Sequence, residues 1–550
     1  MADKKKILSF DTTLRDPERI IKYLKLLNNY RNRVLDYDLI LDFTENLISQ
    51  KLYQPQSLYT KYPEFKSKEF FTIKDAKFIM KRFPQNHGAG GWRKGIEGWG
   101  ARFYQSFATS NQLGFIHTEK GEKIIFGESG DKLISLNDEE RGKVYGIFVN
   151  ALAKFNSNNP KNANLLSQNS LPLLLKLLKI FKEHNSFLER REIPIILVWD
   201  NNNAQDLFKT INEFRNGLPK NISKDKYNKK LFDYCIGITG DKKVDNGKPK
   251  IFGTKTSKET LLVEYPSSYQ KYLGMSNLII KKRFKNKSVY TYDEKQEKLV
   301  KYIISKYLNN PVIKDFESFF SHISTLDPKL YDDYIVESYT DDSQLDKWAK
   351  HFRWEKVKNF LLKLSADKSK VNFSREENMV DTPSLALEWL VSLALKLKIK
   401  DNYKIYPRYH VDSEGKPTRH ADGESNTKSG VDAIIQNQNK FFTLEPTLLT
   451  GTQQFYKESF SNFRHLKNEL KYQVKQNKSH GICLQISPNP DPDTLEFAIF
   501  ENNRNKNMQI IPISIKQFVN ILEKSNSMDA FISNYSENID KCDNCGSFLN

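Results

Sequence analysis

Only four of the 550 residues are cysteine. That is too few for a disulfide framework in a chain of this length and points to a reducing compartment such as the cytoplasm. Cys542-Asp543-Asn544-Cys545 has the spacing of half a zinc knuckle, but no second half accompanies it. Long apolar runs are scarce too. The longest candidates, Leu171–Phe181 and Ile193–Trp199, fall short of the roughly 18 residues that span a bilayer. Met1-Ala2-Asp3-Lys4-Lys5-Lys6 is not followed by an apolar core, so no secretion signal is read there. No repeat of solenoid or propeller length is visible. Acidic residues are the scarcer charge: 86 Lys+Arg stand against 67 Asp+Glu, a net +19. An excess of that size in a globular chain points to a polyanion, most often nucleic acid.

The composition is globular, with 38% hydrophobic and 28% charged residues. At about 150 residues per domain, the length allows three or four domains. The expected class is multidomain α+β, in four parts. Residues 1–160 and 161–293 would be two DNA-recognition subdomains with winged-helix-like ends. Residues 294–375 read as a helical linker, and 376–550 as a C-terminal α/β domain on a central mixed sheet.

Helical spacing covers Pro17–Asn28 and Tyr37–Gln50. A Gly- and Trp-laden stretch, Gly88 to Trp99, leads into a helix over Ala101–Gln112 with Phe103 and Phe107 on one face. Gly114 is placed to end it. Phe115–Thr118, a turn at Lys120-Gly121-Glu122 and Lys123–Phe126 follow as a ribbon. Helix then ribbon is the pattern of a winged helix. A second copy closes Tyr269–Leu273 at Gly274, continues in a strand at Leu278-Ile279-Ile280, makes a basic turn through Lys281–Lys287 and returns over Ser288–Tyr292. The expected DNA contacts are Arg93, Lys94 and Arg102 near the first wing, and Lys281, Lys282, Arg283, Lys285 and Lys287 on the second. Most should touch phosphate. Between the wings lie a buried helix at Leu171–Phe181 and the run Asn201-Asn202-Asn203, read as an N-cap for a helix over Leu207–Phe214.

Beyond Pro383 the pattern changes. Ser384–Leu397 is apolar at helical spacing and carries Glu388. Asp432 stands at the head of the run Ala433-Ile434-Ile435, and Glu445 interrupts Phe441-Phe442-Thr443-Leu444. Two carboxylates on adjacent hairpin strands about 4.8 Å apart can meet at one point. Oxygen donors there suit a hard cation such as Mg²⁺, which takes one or two carboxylates plus phosphate oxygens. Pro446 suggests a bulge or an edge strand. A helix carries Gln454, Phe455, Glu458, Arg464, His465 and Leu466, with Glu458 and His465 about one and three turns beyond Gln454. Gly481–Ser487 and Glu496–Phe500 read as the final strands.

An acid, about a dozen residues, then Glu-X-Lys is the PD-(D/E)XK nuclease pattern, and here Thr447 stands where Lys is usual. With Glu388 in Leu-Glu-Trp-Leu, Asp432, Glu445-X-Thr447, Gln454-Phe455, Glu458 and Arg464-His465, the stretch resembles the catalytic domain of the AlwI family of type IIS restriction and nicking endonucleases, BstNBI-like enzymes included. Thr at the Lys position is usual in that family. The likeness extends to Asp11–Ile20, Lys94-Gly95, Asn201-Asn202-Asn203 and Phe214-Arg215-Asn216.

The resemblance implies a Mg²⁺ site on Asp432 and Glu445 with Glu388 as a further acid, and Thr447, Glu458 and His465 lining the same active site. It implies a type IIS endonuclease that reads a short asymmetric duplex site, of the GGATC or GAGTC kind, and hydrolyses phosphodiester bonds at a fixed distance outside it. The partners would be double-stranded DNA and, for double-strand cleavage, a second copy or a small subunit; an enzyme that nicks alone fits equally. The alternatives are a winged-helix DNA-binding protein or specificity subunit with an inactive nuclease domain, and a transposase-like or repair nuclease with little sequence preference.

Overall fold

The computed structural model describes residues 5–10, 14, 17–55, 57–65, 68, 70–84, 98–136, 142–163, 166–219, 221–241, 250–252, 254–284, 287–334, 342–366, 380, 382–411, 417–420, 430–436, 440–474, 478 and 480–540. They fall into two compact units, residues 1–279 with 290–335, and residues 280–289 with 336–550. The architecture is mixed α+β.

The first unit is mainly helical. α1 is Pro17–Leu27 and α2 is Tyr37–Ser49; Asp36 caps α2 by accepting the Leu39 N–H at 2.8 Å. α3, Gly98–Gln112, begins three residues before the expected start and buries Phe103 and Phe107 against Phe43, with ring centroids 5.3 and 5.4 Å apart. Its end requires glycine. Gly114 has φ +69°, and a Cβ there would fall on the Ile323 side chain. The ribbon that follows is minimal: β1 (Ile116–His117) pairs antiparallel with β2 (Ile125–Phe126).

α4, Ser170–Glu183, is buried as expected. Asn203 caps α5, Ala204–Asn216, accepting from the N–H groups of Gln205 and Asp206. Arg215 near its end grips the buried Glu192 carboxylate through two 2.6 Å hydrogen bonds. That part of Phe214-Arg215-Asn216 is therefore structural.

α6 is Tyr265–Gly274, and Asn277, with φ +54°, makes the reversal after it. The hairpin beyond corrects the expected basic turn. β3 runs Ile279–Phe284 and β4 runs Lys287–Tyr292, so Lys281, Lys282 and Arg283 lie along a strand and only residues 285–286 separate the two strands. A lysine such as the exposed Lys281 fits a strand because its long stem keeps the charged head in water, so the charge run does not mark a turn.

The second unit carries a five-stranded mixed sheet. α7, Trp354–Ala366, and α8, Pro383–Lys398, precede it. The strands are β5 (Lys404–Pro407), β6 (Ala433–Gln436), β7 (Phe441–Pro446), β8 (Gly481–Ser487) and β9 (Met508–Ser514), side by side in chain order. β5, β6 and β7 pair antiparallel, while β7, β8 and β9 pair parallel. The parallel half needs crossovers. α9, Phe460–Val474, supplies the first and α10, Pro492–Arg504, the second.

Alternation along the strands assigns the faces. Phe442, Leu444, Leu484 and Ile486 join the core with α7, α8 and α11, Ile515–Glu523. Phe441 and Cys483 pack with Leu466 of α9 and Ala498 of α10.

Two expectations fail in this unit. Glu496–Phe500 is helical, inside α10. Asp491 accepts the Asp493 N–H at 3.2 Å and Pro492 occupies the first turn, a start signal that outweighs a short apolar alternation. The strand at the sheet's end is β9 instead. Pro446 marks neither a bulge nor an edge, for β7 is the central strand. The Thr447 N–H donates to Ile486 O of β8 at 2.8 Å, so alternation turns the Pro446 nitrogen toward β6. Its antiparallel partner there would be residue 431, before β6 begins. No ladder bond is lost.

Candidate active site

Asp432 and Glu445 meet because of register. Ala433 pairs with Leu444, and one step further the antiparallel pairing sets Asp432 opposite Glu445 on the face that α9 covers. The Asp432 carbonyl accepts the Arg408 N–H at 2.8 Å, which extends the β5–β6 pairing to this residue. Glu445 is 4% exposed. Glu388, 6% exposed, projects from the middle of α8.

The following helical stretch brings two more groups. It opens at Thr452–Gln454, widens into a π-helix over Phe455–Ser459 and continues as α9. This replaces the uninterrupted α-helix expected there, and π segments concentrate at functional sites. Glu458 lies on the π segment, where the Thr447 hydroxyl donates to its Oε1 at 3.4 Å and accepts the Leu449 N–H at 3.2 Å. His465, on α9, bonds Glu445 Oε1 through Nδ1 at 3.1 Å and Ser461 Oγ through Nε2 at 3.1 Å. All six expected active-site residues, Glu388, Asp432, Glu445, Thr447, Glu458 and His465, are therefore drawn into one mutually interacting group.

The electrostatics follow from that proximity. Burial pushes Asp432 well above the usual carboxylate range, and the charges of Glu388, Glu445 and Glu458 push it further. Burial does the same to Glu445, helped by Glu458 and Glu388. Glu458 is raised mainly by burial, while Thr447 and His465 pull it down. Glu388 is raised by burial, against the pull of His420.

His420 is the residue that sequence reasoning missed. Its Nδ1 bonds Glu388 Oε1 and its Nε2 faces Ser384 Oγ at 3.2 Å. The hydrogen bond to Glu388 raises its own pKa. A lone histidine in a polar loop, 32 residues from its partner, carries no spacing signal.

A hard divalent cation fits this donor set. The acidic side chains offer only oxygen donors, positive charge would relieve their crowding, and Glu388 Oε2 is buried without a hydrogen-bond partner. Among the described residues, no group of three or more His, Cys, Asp or Glu side chains is already arranged to hold a metal ion.

The expected DNA contacts are less fully placed. Arg93, Lys94 and Lys285 lie outside the described residues, as do the side chains of Lys282 and Arg283 and the Cys542–Cys545 pair. Lys281 and Lys287 are exposed on β3 and β4. Arg102 is half-buried on α3 with its guanidinium 5.8 Å from the Tyr53 ring centre, a cation–π contact. No helix among the described residues is long and apolar enough to cross a membrane.

Comparison with known proteins gives a family. No curated protein sequence matches the chain. Among solved structures, the small subunit of the heterodimeric restriction endonuclease R.BspD6I aligns at 18% identity over 31% of this chain and 77% of its own, with a TM-score of 0.24. Restriction endonuclease FokI aligns at 10% identity over 96% of this chain and 98% of its own, with a TM-score of 0.25. Those overlaps are too loose to carry weight. The model of the AlwI restriction endonuclease family, however, matches residues 111–325 and 314–521, most of the chain and all six candidate residues. It is the family that the sequence motifs resemble, and the chain belongs to it: it is a type II site-specific deoxyribonuclease of the AlwI restriction endonuclease family.

Proposed function

We propose that the protein is a type IIS endonuclease. It reads a short asymmetric duplex site and, with Mg²⁺, hydrolyses phosphodiester bonds at a fixed distance outside that site. The observation that carries this reading is the register that sets Asp432 opposite Glu445, with Glu388 and Glu458 near enough for their charges to act on both. Residues 376–550 are the cutting domain, residues 1–160 and 161–293 the reading subdomains with their winged-helix-like ribbons, and 294–375 the link between them.

Asp432, Glu445 and Glu388 would hold the Mg²⁺. When bound, the cation supplies an activated water and offsets charge on the phosphorus centre. The protein's own groups do the rest. His465 fixes the Glu445 carboxylate through Nδ1, and His420 does the same for Glu388. Thr447 holds Glu458 beside them, in position to take a proton. Lys281, Lys282, Arg283, Lys285 and Lys287, with Arg93, Lys94 and Arg102, bind backbone phosphates. One such centre cuts one strand, so double-strand cleavage uses a second copy or a small subunit; without it the enzyme nicks.

Incubating the purified chain with plasmid and Mg²⁺ and sequencing the ends tests this. Discrete ends at one offset are expected. Scattered ends would indicate a nuclease with little sequence preference, and intact plasmid with tight binding a DNA-binding regulator. Asp432→Ala should lower cleavage by on the order of a thousandfold or more, the equivalent of several kcal/mol. Specific binding in Ca²⁺ should survive.

A further inference from the structure

The row of side chains that begins at Asp432 and Glu445 does not stop at β7. Glu445 pairs with Gln485 in the parallel ladder between β7 and β8. Register partners in neighbouring strands point to the same face, about 4.8 Å apart. Asp432, Glu445 and Gln485 therefore form one line across three strands, at the carboxyl end of the parallel half of the sheet. Gln485 is 1% exposed, and its Nε2 is buried without a hydrogen-bond partner. The preceding residue of β8 on the same face, Cys483, packs with Phe441 and Leu466, so an apolar side chain would be at home on this face. A buried amide with no partner is destabilising, and native proteins rarely keep one without a use.

We propose that Gln485 is a positioning residue for Glu445: its side-chain amide donates to the Glu445 carboxylate in the cation-loaded site and fixes that carboxylate as a ligand. The inference rests on the metal-dependent reading above. His465 Nδ1 already occupies Glu445 Oε1 from the α9 side; Gln485 approaches from the neighbouring strand. Hydrogen bonds of this outer kind orient ligating carboxylates, and their loss commonly costs about 10- to 100-fold in metal affinity or activity. The role also supplies, from β8, an N–H donor beside Glu445 that Thr447, whose hydroxyl is engaged with Glu458 and Leu449, does not give.

The test uses the full chain and Mn²⁺ as the probe, with free Mn²⁺ read by electron paramagnetic resonance. Gln485→Leu should weaken Mn²⁺ binding about 10- to 100-fold and slow single-turnover cleavage. Its melting temperature without metal should be no lower than that of the parent. Gln485→His, which keeps a ring N–H at that position, should recover part of the affinity. Unchanged Mn²⁺ affinity in Gln485→Leu overturns the inference. So does a lower metal-free melting temperature, which would show that the amide serves the apo fold. Asp432→Ala runs alongside: if it too leaves Mn²⁺ affinity untouched, the metal-site reading has failed, whereas loss in Asp432→Ala without loss in Gln485→Leu condemns the role of Gln485 alone.

Discussion

Asp432 shows how a candidate active site can work against its own fold. In the folded chain, burial and the neighbouring carboxylates raise its pKa well above the usual value, so it keeps a proton that the unfolded chain releases near pH 4, the ordinary carboxylate range. The native state then binds more protons than the unfolded one. The cluster's contribution to stability is intact below that ordinary value and is lost as pH rises toward the raised ones. Asp432→Asn should therefore stabilise the metal-free protein, and the gain should grow from about pH 4 toward pH 8. Melting curves in EDTA across that range provide the check; a gain that shrinks as pH rises would contradict it. Mg²⁺ should raise the melting temperature of the parent and have much less effect on the variant. At this scale the sequence was readable where chemistry and spacing coincide: two acids on adjacent strands announced themselves. His420 and Gln485 did not, because each matters only through a neighbour that the chain reaches by folding. For Gln485 there was one usable cue, an amide at an inward position of an otherwise apolar strand.

Helix periodicity placed the long elements well. Tyr37–Ser49, Ser170–Glu183 and Pro383–Lys398 lie within a residue or two of where their apolar spacing put them. Short apolar runs were ambiguous, as Glu496–Phe500 shows: its alternation looked like a strand, and the cap at Asp491 settled it as helix. The π segment at Phe455–Ser459 had no signature at all, since widening a helix by one residue costs little that composition reveals. Yet it sets the phase between Gln454, whose Oε1 accepts the Asp491 N–H at 2.8 Å, and Glu458, which meets Thr447. Deleting the exposed Lys457 would restore ordinary α spacing and break one of these two contacts. Cleavage should fall about 10- to 100-fold, as for loss of a group that orients a metal ligand, with circular dichroism unchanged. A deletion variant that cuts at the parental rate would mean that the π segment has no part in placing Glu458.

The molecule as a whole carries +19, and that excess has a measurable counterpart. Each phosphate neutralised by Lys or Arg releases counterions, so the logarithm of the DNA association constant should fall with the logarithm of salt concentration at about −0.9 per contact. With six to ten contacts, affinity should drop roughly 10³- to 10⁵-fold between 50 and 200 mM salt. A flat response in a filter-binding or fluorescence titration would remove charge as the basis of DNA binding. The mixed α+β class was visible in the patterning of helices and strands, and with it a mixed sheet near the end of the chain. The extent of the compact units was not, because it depends on contacts between distant segments, as when residues 280–289 group with 336–550.

The hydrogen bond from the Arg408 amide to the Asp432 carbonyl has a practical corollary for anyone collecting inactive variants. Asp432, the aspartate proposed to hold the cation, sits just outside its own strand and borrows its alignment from the main chain next door. Damage that alters no acidic group, such as proline at 408, could silence the enzyme by letting that one residue drift. Screens that inspect only the reactive side chains would file such a lesion as unexplained.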